Sequence, residues 1–194
     1  MTLQQRVAED EFIARAQNGD DEAFHEVVNA FQGPVFNLCY RMLGDAQEAE
    51  DAAQETFMKA HRNLKRYDPE RKFSNWILAI ASNHCIDRLR RRRLTLIPID
   101  DWLPNFENPS PNPGPEETLT HQELQDDVRA ILDQLGSKDR AAIVLRYWYD
   151  YSYEEIAESL SLSVPAVKSR LHRARRVLAE SWSPQGMAVA NGGA

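Results

Sequence analysis

The stretch Ser152–Arg176, SYEEIAESLSLSVPAVKSRLHRARR, decides how this chain folds. Ser152 followed three residues later by Glu155 is a capping box, which satisfies the first unpaired backbone N–H groups of a helix. Ile156, Ala157 and Leu160 then recur at helical spacing and form its inward face. Ser161-Leu162-Ser163 turns the chain, and Pro165, whose fixed φ suits a first helical turn, opens a second helix. Val167 and Leu171 pack that helix back onto the first. Two short helices joined by so tight a turn make a helix-turn-helix. The second helix presents Lys168, Ser169, Arg170, His172, Arg173, Arg175 and Arg176, and residues 164–182 hold five basic side chains against one acidic. A DNA major groove admits one such helix, and its N-terminal part reaches the base edges. Lys168, Ser169, His172 and Arg173 are therefore the expected base readers, while Arg175 and Arg176 meet phosphates. A helical hairpin with a merely solvated basic face is the competing reading.

Outward from this motif the pattern stays helical, with no convincing alternation of β-branched residues, so the fold class is all-α. Phe12, Ile13 and Ala16 form a stripe ended by Gly19, and Phe24, Val27, Val28 and Phe31 form a second. Gly33-Pro34 predicts a break, after which Val35, Leu38, Cys39, Met42 and Leu43 form a third stripe ended by Gly44. Asp45 with Glu48 reads as a capped start for a helix carrying Ala49, Ala52, Ala53, Phe57, Ala60 and Leu64. Tyr67-Asp68-Pro69 interrupts, and a long helix over 74–93 follows, with Ile77, Ile80, Ala81, Cys85, Ile86 and Leu89 inward. Further helices are predicted at 119–134, 138–148, 153–160 and 165–181. Six of the ten prolines lie between Pro98 and Pro115, which marks a flexible linker able to reach about 70 Å if extended. The expected organisation is thus two small helical domains, 1–94 and 118–182, joined by a Pro-rich acidic linker over 95–117 and followed by a disordered Gly/Ala tail over 183–194.

Composition narrows the class. The chain has 194 residues, a formal charge of −7 and two cysteines, Cys39 and Cys85, with no CxxC pair. This excludes a disulfide-stapled secreted scaffold and a cysteine-built zinc site, and suits a reducing cytoplasm. No apolar run approaches the ~20 residues that span a bilayer, and the acidic N-terminus MTLQQRVAEDEF lacks a signal-peptide pattern, so no integral membrane protein is expected. The charge is segregated: residues 1–58 carry 12 acidic and three basic side chains, 71–93 seven basic and one acidic, and 94–137 nine acidic and one basic. Such blocks suit a chain that meets a polyanion at one surface and a basic partner at another.

The strongest basic block is Arg88-Leu89-Arg90-Arg91-Arg92-Arg93, reached through Tyr67, Phe73, Asn75 and Trp76. Unpaired bases stack on aromatic rings while arginines follow phosphates, so basic charge interleaved with rings suits single-stranded or melted DNA. Aromatics at helical spacing serve equally well as core, and each ring taken alone supports both readings.

Together these segments resemble a known family. DAQEAEDAAQETFMKA (45–60), FSNWILAIASNHCIDRLRRR (73–92), YEEIA (153–157) and VKSRLHRAR (167–175) are similar to the two domains of bacterial RNA polymerase sigma factors of the compact extracytoplasmic-function (ECF) class. The resemblance covers about residues 8–182. It implies a non-enzymatic initiation factor that binds core RNA polymerase and promoter DNA, with no catalytic residue, cofactor or metal of its own, and it admits a dedicated anti-sigma protein as a further partner. It assigns the helix-turn-helix to the −35 element. Tyr67, Phe73, Asn75, Trp76, Asn83, Asp87, Arg88, Arg91 and Arg92 fall to the −10 element and its melting. Asp45, Glu48, Glu50, Asp51, Gln54 and Glu55 correspond to the segment that docks on the polymerase clamp.

Two other function classes compete. A metal-dependent nuclease or phosphohydrolase could draw on the acidic cluster at 45–55 or on His84-Cys85, but helical spacing spreads those carboxylates over more than one face. No HExxH, GxSxG or P-loop is present. Cys85 fits the inward stripe and reads as a buried thiol. An activator or repressor that binds DNA without polymerase is the third class, and only the sigma reading requires polymerase for promoter-specific RNA synthesis.

Overall fold

The computed structural model describes residues 3–95 and 128–181, so the expected linker, the tail and the start of the helix at 119–134 lie outside the described residues. Four helices build the first domain: α1 (Leu3–Gln17), α2 (Asp21–Leu43), α3 (Ala46–Asn63) and α4 (Phe73–Thr95), with a 3-10 turn at Leu64–Arg66 between the last two. The second domain holds α5 (described over 128–133), α6 (Ser137–Trp148), α7 (Tyr153–Ser159) and α8 (Val164–Ser181). Among the described residues there is no strand.

The break expected at Gly33-Pro34 is absent, because α2 runs through Pro34 as one helix. Val27, Phe31, Val35, Leu38, Cys39 and Met42 form one continuous buried stripe across the proline. Packing along that stripe offsets the ~3 kcal/mol that an interior proline costs. Gly44 ends α2 in the left-handed region at φ 77°, its N–H returning to the Tyr40 carbonyl at 2.8 Å. Asp45 then caps α3 by accepting the Glu48 N–H at 2.8 Å.

On α3 the buried face is Ala49, Ala52, Ala53, Thr56 and Ala60. These small side chains let α2 and α4 approach closely, and the Thr56 hydroxyl, fully buried, donates to the Ala52 carbonyl at 2.7 Å. Cys39 and Cys85 are buried free thiols on α2 and α4; hydrogen bonding between them, then burial, holds the Cys85 pKa far above the thiol range. On α1, the Gln17 side-chain amide donates to the Leu64 and Tyr67 carbonyls at 3.0 and 2.8 Å, fixing the loop that leads into α4.

The two domains share one core. Arg140 of α6, 3% exposed, donates to the Met42 carbonyl at 2.5 Å and to the Leu132 carbonyl at 2.7 Å, and pairs with Asp133. The guanidinium thereby meets the Met42 carbonyl in the last turn of α2, which that helix itself leaves unpaired. The Tyr149 hydroxyl donates to the Pro34 carbonyl at 2.6 Å, and Arg41 lies 5.2 Å from the Trp148 ring centroid.

Candidate nucleic-acid interface

The capping box is formed on both sides: Ser152 Oγ accepts the Glu155 N–H at 3.1 Å, and Glu155 Oε2 accepts the Ser152 N–H at 2.8 Å. Ser161, at φ 51°, turns the chain into α8, where Val167, Leu171 and Ala174 are buried. Lys168, Ser169, His172, Arg173, Arg175 and Arg176 are exposed along one side of the helix. Lys168 also sits 5.8 Å from the Tyr153 ring centroid.

Two of the expected DNA-contacting arginines already have a partner. Asp139, in the first turn of α6, accepts from Arg170 at 2.6 Å and from Arg173 at 2.7 and 3.2 Å. Burial alone raises the Asp139 pKa, but the hydrogen bonds and charges of Arg173 and Arg170 outweigh it and leave the carboxyl below its ordinary value. Arg170 is turned inward and partly buried, and its pairing with Asp139 braces α8 against α6. Arg173 keeps 54% of its side chain exposed while Asp139 sets its direction. Arg175 returns to the Leu171 carbonyl at 3.1 Å, and Arg176 lies 3.6 Å from Glu180.

On the first domain the aromatic residues divide. Tyr67 and Phe73 are buried, their ring centroids 5.1 Å apart, and Phe73 packs on Phe31 at the same separation, so neither offers a ring face to a base in this arrangement. Trp76 packs on both at 5.3 and 5.4 Å and is partly buried. It lines a groove of about 780 Å³ between the two domains, with Lys59, Lys72, Asn75 and Asn83 on one wall and Glu155 and Glu158 of α7 on the other. Asp87 also lines this groove, whereas Arg88 and Arg91 line a smaller one on the side towards α3. There Arg92 lies 3.6 Å from Glu48, and Arg88 approaches the Glu48 carbonyl at 3.5 Å. His84 accepts at Nδ1 from the Lys59 ammonium at 2.7 Å, and burial, then the Lys59 charge, pushes its pKa down. Among the described residues no group of His, Cys, Asp and Glu is placed to hold a metal ion, and no helix is long and apolar enough to cross a membrane.

The acidic residues of α3 are not equivalent. Asp45 is the helix cap, Glu48 meets Arg92, and Glu55 pairs with Arg62 at 3.3 Å. Glu50, Asp51 and Gln54 are exposed, and Met58, 55% exposed, continues their face by one turn.

Residues 27–95 match the family described as Sigma-70 region 2, and residues 125–178 the family described as Sigma-70, region 4. The ECF RNA polymerase sigma factor SigW of Bacillus subtilis is 36% identical over 173 residues, which span 86% of this chain and 92% of SigW. The chain belongs to the ECF RNA polymerase sigma factors. As a sigma factor it binds core RNA polymerase and directs transcription from specific promoters. Among solved structures, CnrH in complex with the cytosolic domain of CnrY superposes with a TM-score of 0.65 at 26% identity, covering 95% of this chain and 99% of CnrH. The sigma factor RpoE of Bartonella quintana, solved with the anti-sigma factor NepR, has the same fold at TM-score 0.61 and 23% identity, covering 81% and 94% of the two chains.

Asp139, Arg140 and Met58 stand out in the structure of this sigma factor but not in its sequence. An acid in a first helical turn was the one local signal for Asp139. Its arginine partners lie 31 and 34 residues away, beyond any helical period.

Proposed function

We propose that the two domains divide promoter recognition, with residues 1–94 taking the −10 element and the polymerase clamp, and residues 118–182 the −35 element. On α8, Lys168, Ser169 and His172 read base edges, Arg173 reads from the direction Asp139 gives it, and Arg175 and Arg176 meet phosphates. On α4, Trp76 is the stacking surface for an unpaired base, held at its angle by Tyr67 and Phe73 behind it. Asn75, Asn83 and Asp87 line the same groove, and Arg88, Arg91 and Arg92 follow the backbone leaving it. Glu50, Asp51 and Gln54 form the docking face for a basic surface of the polymerase, and exposed Met58, one turn further along α3, extends it with an apolar contact.

The observation that supports the −10 assignment is the partly exposed edge of Trp76 in a groove that Lys72, Asn75 and Asn83 also line. The chain supplies binding and positioning, and nucleotide addition belongs to the polymerase, which also places the factor in the cytoplasm. An anti-sigma partner is supported by the RpoE–NepR likeness at the level of fold. Trp76→Ala tests the reading: it leaves polymerase binding nearly intact and slows promoter opening, and a pre-melted bubble template restores most of the activity. Failure of the bubble to restore any activity marks Trp76 as a core residue only.

A further inference from the structure

We propose that Asp139 is a specificity-determining positioning residue for duplex recognition: it commits one edge of the Arg173 guanidinium and leaves the other aimed at a guanine in the major groove. The inference rests on α8 being the reading helix, as set out above. A guanidinium carries five N–H donors in a fixed planar fork. Asp139 takes the side edge, with Oδ2 accepting from Arg173 Nε at 2.7 Å and Oδ1 from Nη2 at 3.2 Å. The N–H groups of Nη1 and the outer N–H of Nη2 remain, and they form the end edge of the fork. Two parallel donors on that edge match the O6 and N7 acceptors that guanine alone places side by side in the major groove.

Asp139 can set this direction because it is itself held. It stands in the first turn of α6 with its side chain 11% exposed, and Oδ1 also accepts at 2.6 Å from Nη1 of Arg170, one turn before Arg173 on α8. The anchor thus lies beneath α8, while Arg173 reaches out from it into solvent. Ser169, four residues before Arg173 and so on the same face of the helix, is exposed beside it.

An unanchored arginine at such a position has several rotamers open to it and can swing to a backbone phosphate, a contact that carries no sequence information. Pairing with Asp139 removes that choice before DNA arrives. One carboxylate against two guanidiniums also leaves the cluster a single net positive charge. Sequence preference therefore rises while sequence-independent attraction falls. Lys168, by contrast, meets the Tyr153 ring at 5.8 Å, a contact that fixes no N–H direction, so the guanine preference concentrates at the base pair that Arg173 meets.

The test uses the full chain assembled with core RNA polymerase. The probe is a duplex that this holoenzyme selects from a pool randomised over the −35 region, with each position of the selected element then exchanged for every other base pair. The expected wild-type result is one guanine, insensitive to exchange in Arg173→Ala, whose exchange weakens binding about 10- to 100-fold. At that position 7-deazaguanine, which lacks the N7 acceptor, weakens binding several-fold, while hypoxanthine, which lacks only the minor-groove amino group, leaves it unchanged. Asp139→Asn keeps an acceptor for Arg170. It should cut the guanine preference to about threefold or less and shrink the 7-deazaguanine penalty, leave preferences at the other positions as they were, and not weaken binding to a duplex without the element. Added to Arg173→Ala, it should change nothing further at that position. A loss spread evenly over all positions in Asp139→Asn assigns the residue to packing alone and overturns the proposal, as does a guanine preference that survives the substitution. A wild-type preference for another base at the Arg173 position, or no penalty from 7-deazaguanine there, overturns the end-edge assignment without recourse to any Asp139 variant. Arg173→Ala with no position-specific effect overturns the reading of Arg173 on α8, and the proposal with it.

Discussion

Replacing Asp139 with Ala removes the one carboxylate that Arg170 and Arg173 share. The Arg170 Nε is buried and has no hydrogen-bond partner, so its guanidinium depends on the 2.6 Å bond to Asp139. A hydrogen bond to a charged group contributes about 1.5–3 kcal/mol. Arg173 is 54% exposed, so solvent screens its pairing, which adds little beside that bond. The expected loss is about 2–4 kcal/mol, because two guanidiniums are also left facing one another. With a urea dependence of about 2 kcal/mol per molar, the unfolding midpoint falls by about 1–2 M. Asp139→Asn keeps one acceptor and recovers part of the loss. Because the folded-state pKa of Asp139 lies below its unfolded value of about 3.9, this stabilisation is complete above that value and disappears as pH falls through the folded pKa. Wild type and Asp139→Ala should therefore converge in acid. A midpoint shift under about 0.3 M, or a gap that does not narrow below pH ~4, refutes the reasoning.

Gly44→Ala should cost about 1–2 kcal/mol in urea unfolding, because φ is 77° there, while the Arg129 guanidinium, 2.7 Å from the new Cβ, can swing aside. Lys168→Ala or His172→Ala should cost about 1–3 kcal/mol at particular −35 base pairs in competition binding, whereas Arg176→Ala should weaken all duplexes about equally. The Asn75–Glu155–Lys72 contact should hold at neutral pH and loosen as pH falls from the unfolded glutamate value of about 4.3 towards the folded value of about 2. Energy transfer between the domains during an acid titration measures this.

How much of this was legible in the sequence follows the range of each interaction. Asp45 and Ser152 cap their helices as their three-residue spacing to Glu48 and Glu155 predicts, and Gly44 ends its helix where an unbranched backbone is needed. Pro34 misled because a local breaker competes with a buried stripe on both sides of it, and the stripe is a tertiary fact. Tyr67 and Phe73 look like stacking rings until Phe31, far away in sequence, closes on Phe73. The contacts that define the sites most sharply join residues with no shared period: Arg140 to Met42 across 98 residues, Asn75 to Glu155 across 80, and Arg173 to Asp139 across 34. Segment charge points to a polyanion at the basic helix and a basic partner at the acidic regions. It did not reveal that Glu155 and Glu158, in a segment with a basic balance, are the acids that meet Arg71, Lys72 and the first turn of α4.

The central claim is that α8 and α4 steer core polymerase to particular promoters, and run-off transcription with purified core enzyme on a genomic fragment library tests it most directly. Discrete start sites should appear only when the chain is added, share an upstream element, and be lost with Lys168→Ala/His172→Ala while binding to core polymerase persists. Start sites independent of the chain, or unaffected by that double substitution, would contradict it.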